Sequence, residues 1–230
     1  MGAYTECMAL PEVSPSRHGL PASIQSVRRI LKPVGCGLPA TTLRDPAVAA
    51  CVCARGLTVT VCGERELMLA QTTGVRPRQV VLRCGRDPAM IRRAVALGVA
   101  RFVVSADRHV DLLAAGPPPD KHVFLDELSP VDVGSRRVEV VGMHCDIGTS
   151  PAPGQWGAAV ERLLGRLASM RGRGPLLGRI SLSGGSSETW LGGHTPQLRR
   201  MAAEVEDALD DGCARWRLPR PAMVLTPSTG

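Results

Sequence analysis

The sequence predicts a single (β/α)8 TIM-type barrel, and three observations carry that prediction. Short apolar runs bounded by turn residues alternate with helical patterns at a step of roughly 20 residues, which implies right-handed crossovers and a parallel sheet. Eight such runs are present, and that number favours closure over an open sheet. The core must also be built almost without aromatics, which are 3% of a 230-residue chain that is 44% hydrophobic. Val, Leu, Ala and Met therefore fill it, as branched aliphatics fill the layers of a barrel, and a chain of this length supports one sizeable domain.

A helical stretch from Ser23 to Leu31 leads into a first strand at Val34 to Ala40. Asp45-Pro46 then opens a helix, with an acid at the N-cap and a proline whose missing N–H is harmless in the first turn. The second strand spans Leu57 to Cys62 and is followed by a helix from Glu64 to Thr72. The unit repeats as strand Gln79 to Arg83, helix Pro88 to Leu97, strand Arg101 to Val104 and helix Asp107 to Ala115. The turn Pro117 to Pro119 breaks the chain before strand His122 to Leu125. A strand at Val138 to Cys145, a helix at Gln155 to Met170, a strand at Leu177 to Leu182, a helix at Pro196 to Leu209 and a last strand at Ala222 to Leu225 complete the set. Residues 1–20 read as an N-terminal extension and residues 21–230 as the barrel. Asp126 to Arg137 is too short and too rich in Pro, Gly and Ser for a covering helix, so the barrel is expected to be incomplete there, with one flank bare and a partner surface as one way to cover it.

Composition excludes several classes. The net charge is +7, but the basic residues other than Lys32 and Lys121 are all Arg, scattered in ones and twos, with no basic helix and no aromatic stacking set. No nucleic-acid partner is expected. No run approaches the ~18 apolar residues of a membrane span and no signal-type stretch opens the chain, so neither a membrane partner nor export is expected. Cys62, Cys84 and Cys145 lie in or beside apolar runs and read as reduced core residues, which together with the other features points to the cytoplasm. Cys51 and Cys53 form a CxC without a second pair at ligand spacing, so no metal site is assigned.

A barrel of this class places its chemistry at the carboxyl ends of its strands. Those ends read Ala40-Thr41-Thr42-Leu43-Arg44, Cys62-Gly63-Glu64-Arg65-Glu66, His144-Cys145-Asp146-Ile147-Gly148, Ser181 to Ser187, and Thr226-Pro227-Ser228-Thr229. In the SLSGGSS run, Gly184 and Gly185 would let backbone N–H groups approach a phosphate, with flanking hydroxyls as further donors; a plain turn after a strand has the same composition. Cys145 should point away from its neighbours His144 and Asp146, so these three do not converge as a triad.

The segments DPAVAACVCARGLTVTVCGERELMLAQTTGV, VVGMHCDIGTS and SLSGG, in this order and each at its strand end, resemble the barrel of the ornithine/diaminopimelate/arginine decarboxylase family. The resemblance runs from about Pro39 to Thr226 and implies an alanine racemase-like barrel, pyridoxal phosphate as the family's cofactor, polyamine or lysine metabolism, and dimers that share active sites. The family's C-terminal β-domain has no counterpart among these segments. Met1-Gly2-Ala3-Tyr4-Thr5 is similar to a GAYT segment that the family carries near its carboxyl end, which implies a rearranged or fragmentary gene product.

Carried over residue by residue, the resemblance implies losses. The cofactor-binding lysine of a KAN-type motif falls on Thr41, the ring-stacking histidine of a HIGS-type motif on Asp146, and the aspartate ending the second strand on Thr60. The EPGR-type motif, with the glutamate that keeps the pyridine nitrogen protonated, reads Thr226-Pro227-Ser228-Thr229. DLGGG reads SLSGG, while Glu66 matches a family glutamate. Pyridoxal catalysis needs an amine to hold the cofactor and a charged ring nitrogen to draw electrons. The expectation is a catalytically inactive decarboxylase-like barrel, with no catalytic residue and no covalently bound cofactor, whose remaining cofactor-binding positions are Gly184, Gly185, Ser186, His144 and Glu66. Its role would be homo- or heterodimerisation with a decarboxylase-family protein. The alternatives are an active pyridoxal phosphate-dependent decarboxylase using Lys32 or Lys121, and a cofactor-carrier barrel.

Overall fold

The computed structural model describes residues 19–31, 34–116, 121–129, 138–171, 177–193 and 195–229. Eight parallel strands, β1 (Gly35–Pro39), β2 (Thr58–Val61), β3 (Val80–Arg83), β4 (Arg101–Val104), β5 (His122–Asp126), β6 (Glu139–Asp146), β7 (Arg179–Ser183) and β8 (Ala222–Thr226), close in sequential order. Closure is made by β8 on β1, with Gly35 opposite Val224 and Cys36 opposite Leu225. The helices are α1 (Gly19–Ile30), α2 (Pro46–Arg55), α3 (Glu64–Thr72), α4 (Pro88–Ala96), α5 (Asp107–Ala114), α6 (Gln155–Met170), α7 (Ser187–Leu191) and α8 (Thr195–Trp216). The expected extension, residues 1–20, lies outside the described residues except for Gly19 and Leu20, which open α1.

Local chemistry sets these boundaries. Asp45 caps α2 by accepting the N–H groups of Ala47 and Val48, and Asp87 caps α4 by accepting that of Ala89; each is followed by a proline. Gly56 ends α2 in the left-handed region at φ 63°, which a side chain would strain. The first strand stops at Pro39, one residue before the expected end, because the Thr42 hydroxyl donates back to the Pro39 carbonyl at 2.7 Å and winds Ala40–Arg44 into a 3-10 turn. At the other end of the chain α8 runs to Trp216, about two turns beyond the expected Leu209, because Gly212 packs against Leu164 of α6 instead of ending the helix.

Successive strand residues alternate between two cores. Val59, Val61, Leu82, Phe102, Val104, Val123, Leu125, Met143 and Leu182 pack under the helices in one large cluster, all nearly inaccessible. The other face points into the barrel, where Val81, Val103, Phe124 and Val141 form a separate apolar plug. Polar residues of the same face lie above and below that plug. The tight register at β6 and β7 depends on Gly142, whose Cβ would fall 2.0 Å from the Arg179 carbonyl oxygen.

Two expectations are corrected. The β5 flank is not bare: Val123 and Leu125 are 0% and 1% exposed although no helix is described between β5 and β6. Arg162 and Arg166 of α6 reach Glu127 and Ser129, which carries α6 across the segment after β5. Cys62 is not a core residue either. Cys84 and Cys145 are buried, but Cys62 follows the end of β2 and is exposed, because the apolar run stops one residue earlier.

Candidate functional site

The carboxyl ends of the strands meet in a polar mouth. Arg83, the last residue of β3, faces inward by alternation from Val81 and places Nη1 2.5 Å from Oδ2 of Asp146, the last residue of β6. The same Nη1 donates to Thr229 Oγ1 at 2.9 Å, in the segment that leaves β8. Asp146 Oδ1 accepts the Gly148 N–H at 3.0 Å. Burial disfavours a charge on Asp146, but the Gly148 N–H, the Arg83 guanidinium and a bond from the Ser228 hydroxyl outweigh it and hold the carboxyl below the usual range. An ion pair therefore spans the mouth from β3 to β6.

Below it, Ser183 Oγ and Thr226 Oγ1 share a hydrogen bond at 2.8 Å, and both residues are buried. His144 sits two residues before Asp146 on the same face, 2% exposed, with Nδ1 3.1 Å from Ser181 Oγ. Burial and the nearby Arg83 charge push its pKa down to about 3, so the ring is neutral at ordinary pH.

The expected site residues occupy these places. The Gly184 N–H donates to the Thr226 carbonyl and the Gly185 N–H to the Gly148 carbonyl, both at 2.9 Å. Gly184 is required by close approach, since a Cβ there would lie 2.5 Å from Ile147 and 2.9 Å from Trp156, and its carbonyl accepts the Trp190 indole N–H at 3.0 Å. Trp156 and Trp190 thus back the glycine loop, with ring centroids 6.4 Å apart. Ser186 is the N-cap of α7, its hydroxyl accepting the Thr189 N–H at 3.2 Å. Glu66, half-buried in the first turn of α3, accepts the Cys62 N–H at 2.7 Å, which ties α3 to the end of β2. His144 and the glycine loop belong to adjacent strand ends, and Glu66 stands apart from both at β2.

Thr41, in the expected lysine position, lies exposed in the 3-10 turn. Lys32 and the Met1 to Thr5 segment fall outside the described residues. Lys121 precedes β5 at the opposite, amino end of the barrel, where its ammonium donates to the Gly116 carbonyl. Among the described residues no three His, Cys, Asp or Glu side chains are grouped to hold a metal ion, and no helix is long and apolar enough to cross a membrane. Sequence reasoning missed Arg83, Ser228, Thr229 and the two tryptophans. For Arg83 a signal existed, since an arginine two places after an inward valine at a strand end must project into the mouth.

No family model matches the chain. It is 24% identical to a diaminopimelate decarboxylase of Actinosynnema pretiosum subsp. auranticum, an alignment covering 75% of this chain and 47% of that protein. The chain thus spans about half the length of the curated relative it matches. Solved structures share the fold. The diaminopimelate decarboxylase of M. jannaschii in complex with L-lysine superposes with a TM-score of 0.76 at 14% identity, over 93% of this chain and 59% of that one. The lysine/ornithine decarboxylase of Vibrio vulnificus complexed with putrescine gives 0.72 at 17% identity, over 92% and 61%. An arginine decarboxylase of Paramecium bursaria Chlorella virus bound to agmatine gives 0.70 at 13% identity, over 90% and 62%. The barrel is similar to those of the lysine, ornithine, arginine and diaminopimelate decarboxylases.

Proposed function

We propose that this chain is a decarboxylase-like barrel without pyridoxal phosphate catalysis, acting in the cytoplasm by pairing with itself or with a decarboxylase-family protein. The observation that carries the reading is the Arg83–Asp146 ion pair at the strand ends, in a mouth to which no described lysine contributes an amine. Each requirement of the cofactor meets something else. The amine position holds Thr41, the ring-nitrogen acid is replaced by Thr226 bonded to Ser183, and the N–H groups suited to a phosphate already donate to Thr226 and Gly148. The residues present therefore do not fit pyridoxal phosphate.

Pairing follows from the resemblance, because the family shares its active sites across a dimer. The cytoplasmic reading is supported by the seven described cysteines, all free thiols. The test is to incubate the purified chain with pyridoxal phosphate, reduce with borohydride and map any lysine adduct by mass, then to assay carbon dioxide release from basic amino acids. We expect neither. A reducible adduct on Lys32 or Lys121 would overturn the reading in favour of a cofactor carrier, and release of carbon dioxide in favour of an active enzyme. Gel filtration with light scattering, with and without the Actinosynnema decarboxylase, should show a dimer of this chain or a mixed species; a monomer under both conditions overturns the pairing.

A further inference from the structure

The carboxylate of Asp146 is held as a bound anion would be. Arg83 from β3, the Gly148 N–H from the loop after β6 and the Ser228 hydroxyl from the segment after β8 all donate to it, and Thr229 Oγ1 accepts from the same guanidinium nitrogen. Charged and neutral donors converging in this way suit any carboxylate or phosphate oxygen. What distinguishes the arrangement is that its frame does not include Asp146. The Gly185 N–H donates to the Gly148 carbonyl at 2.9 Å and the Ser228 N–H to the Gly185 carbonyl at 3.0 Å, so the loops carrying two of the donors are tied together by backbone bonds of their own. Arg83 belongs to β3, whose register with β4 is set by the barrel. The Arg83 and Asp146 side chains retain 26% and 17% exposure, so the cradle opens to solvent.

We propose that the barrel mouth is a preformed oxyanion site that the chain's own Asp146 occupies, and that it takes inorganic phosphate or a simple carboxylate once that side chain is removed. The inference rests on the reading of the mouth as closed to the cofactor and is independent of pairing. Asp146→Ala keeps the donor frame and vacates the cradle. Isothermal titration at constant ionic strength should show the variant binding inorganic phosphate at least about tenfold more tightly than the native chain. Its melting temperature should rise saturably with phosphate, and acetate, which replaces the lost carboxylate, should move it towards the native value. Chloride at matched ionic strength should do neither. Adding Arg83→Met to the variant should abolish the response.

The proposal is overturned if Asp146→Ala shows no saturable phosphate binding, if the native chain binds phosphate as tightly, or if the Arg83→Met double variant binds equally well. Should Asp146→Ala not fold, Asp146→Asn keeps the shape and loses the charge. It should bind phosphate more tightly than the native chain, and a result equal to native then overturns the proposal. A reducible pyridoxal adduct on the native chain would sink the functional reading and with it the premise of a closed mouth, whereas absence of phosphate binding by the variants sinks this inference alone.

Discussion

At the scale of single residues, the polar interior of the barrel couples protonation to folding. His144 is neutral in the folded chain down to about pH 3, whereas the unfolded side chain protonates near 6.5. Between those values the unfolded chain binds more protons, so stability is complete above pH 6.5 and is lost progressively as the pH falls towards 3. The buried His109, whose pKa burial also lowers, acts in the same sense. His144→Gln should flatten the urea stability profile across this window, by up to about 1.4 kcal/mol per pH unit. Asp146 works at lower pH. Its folded pKa lies below 3.8, so it contributes stability above that value which is lost as the pH falls through the folded one. Asp146→Asn should remove the most acidic part of the dependence and leave the part due to His144, as acid titrations followed by circular dichroism would show. The alternation that separates Cys145 from His144 and Asp146 was legible in the sequence; the partners of the two inward residues were not.

At the scale of elements, the caps and the ties between them behave differently. Asp45 bonds within three residues of itself, which is why its role could be read from Asp45-Pro46 alone. Asp45→Ala should cost about 1 kcal/mol in urea denaturation by releasing the first N–H groups of α2. Gln79, 5% exposed, does work that no local pattern announces. Its amide donates to the Val52 carbonyl at 3.1 Å and to the Leu57 carbonyl at 3.0 Å, joining the end of α2 and the approach to β2 to the start of β3. Gln79→Leu would keep the volume and remove both bonds, leaving the Val52 carbonyl to the Gly56 and Leu57 N–H groups, with an expected loss of about 1–2 kcal/mol in the same measurement. The 3-10 turn at Ala40–Arg44 and the short α7 escaped the sequence for a related reason. Each is set by a side chain bonding its own backbone, Thr42 in one and Ser186 in the other, and neither is long enough to show a period.

At the scale of the whole molecule, closure makes each strand's register depend on the rest, so an intrusion at one pair cannot be relieved by shifting an edge. Gly142→Ala would push a methyl group into the Arg179 carbonyl, and we expect loss of soluble folded protein or a sharply lower melting temperature. Gly178→Ala, where a Cβ would meet nothing within 4 Å, is the control and should melt as the native chain does. The sequence by itself determined the order and number of strands, the Asp45 cap, and which segments stand at the ends of β1, β2, β6, β7 and β8. Those follow from hydrophobic period and covalent spacing, which act over a few residues. The tertiary structure alone decided that Arg83 meets Asp146 across 63 residues of chain, that Arg162 and Arg166 of α6 reach Glu127 and Ser129 after β5, and that Gly184 and Gly185 direct their N–H groups to Thr226 and Gly148. The physical reason is that barrel closure brings the ends of β3, β6, β7 and β8 together, and a donor's partner there is chosen by register and geometry between strands, which no one strand encodes.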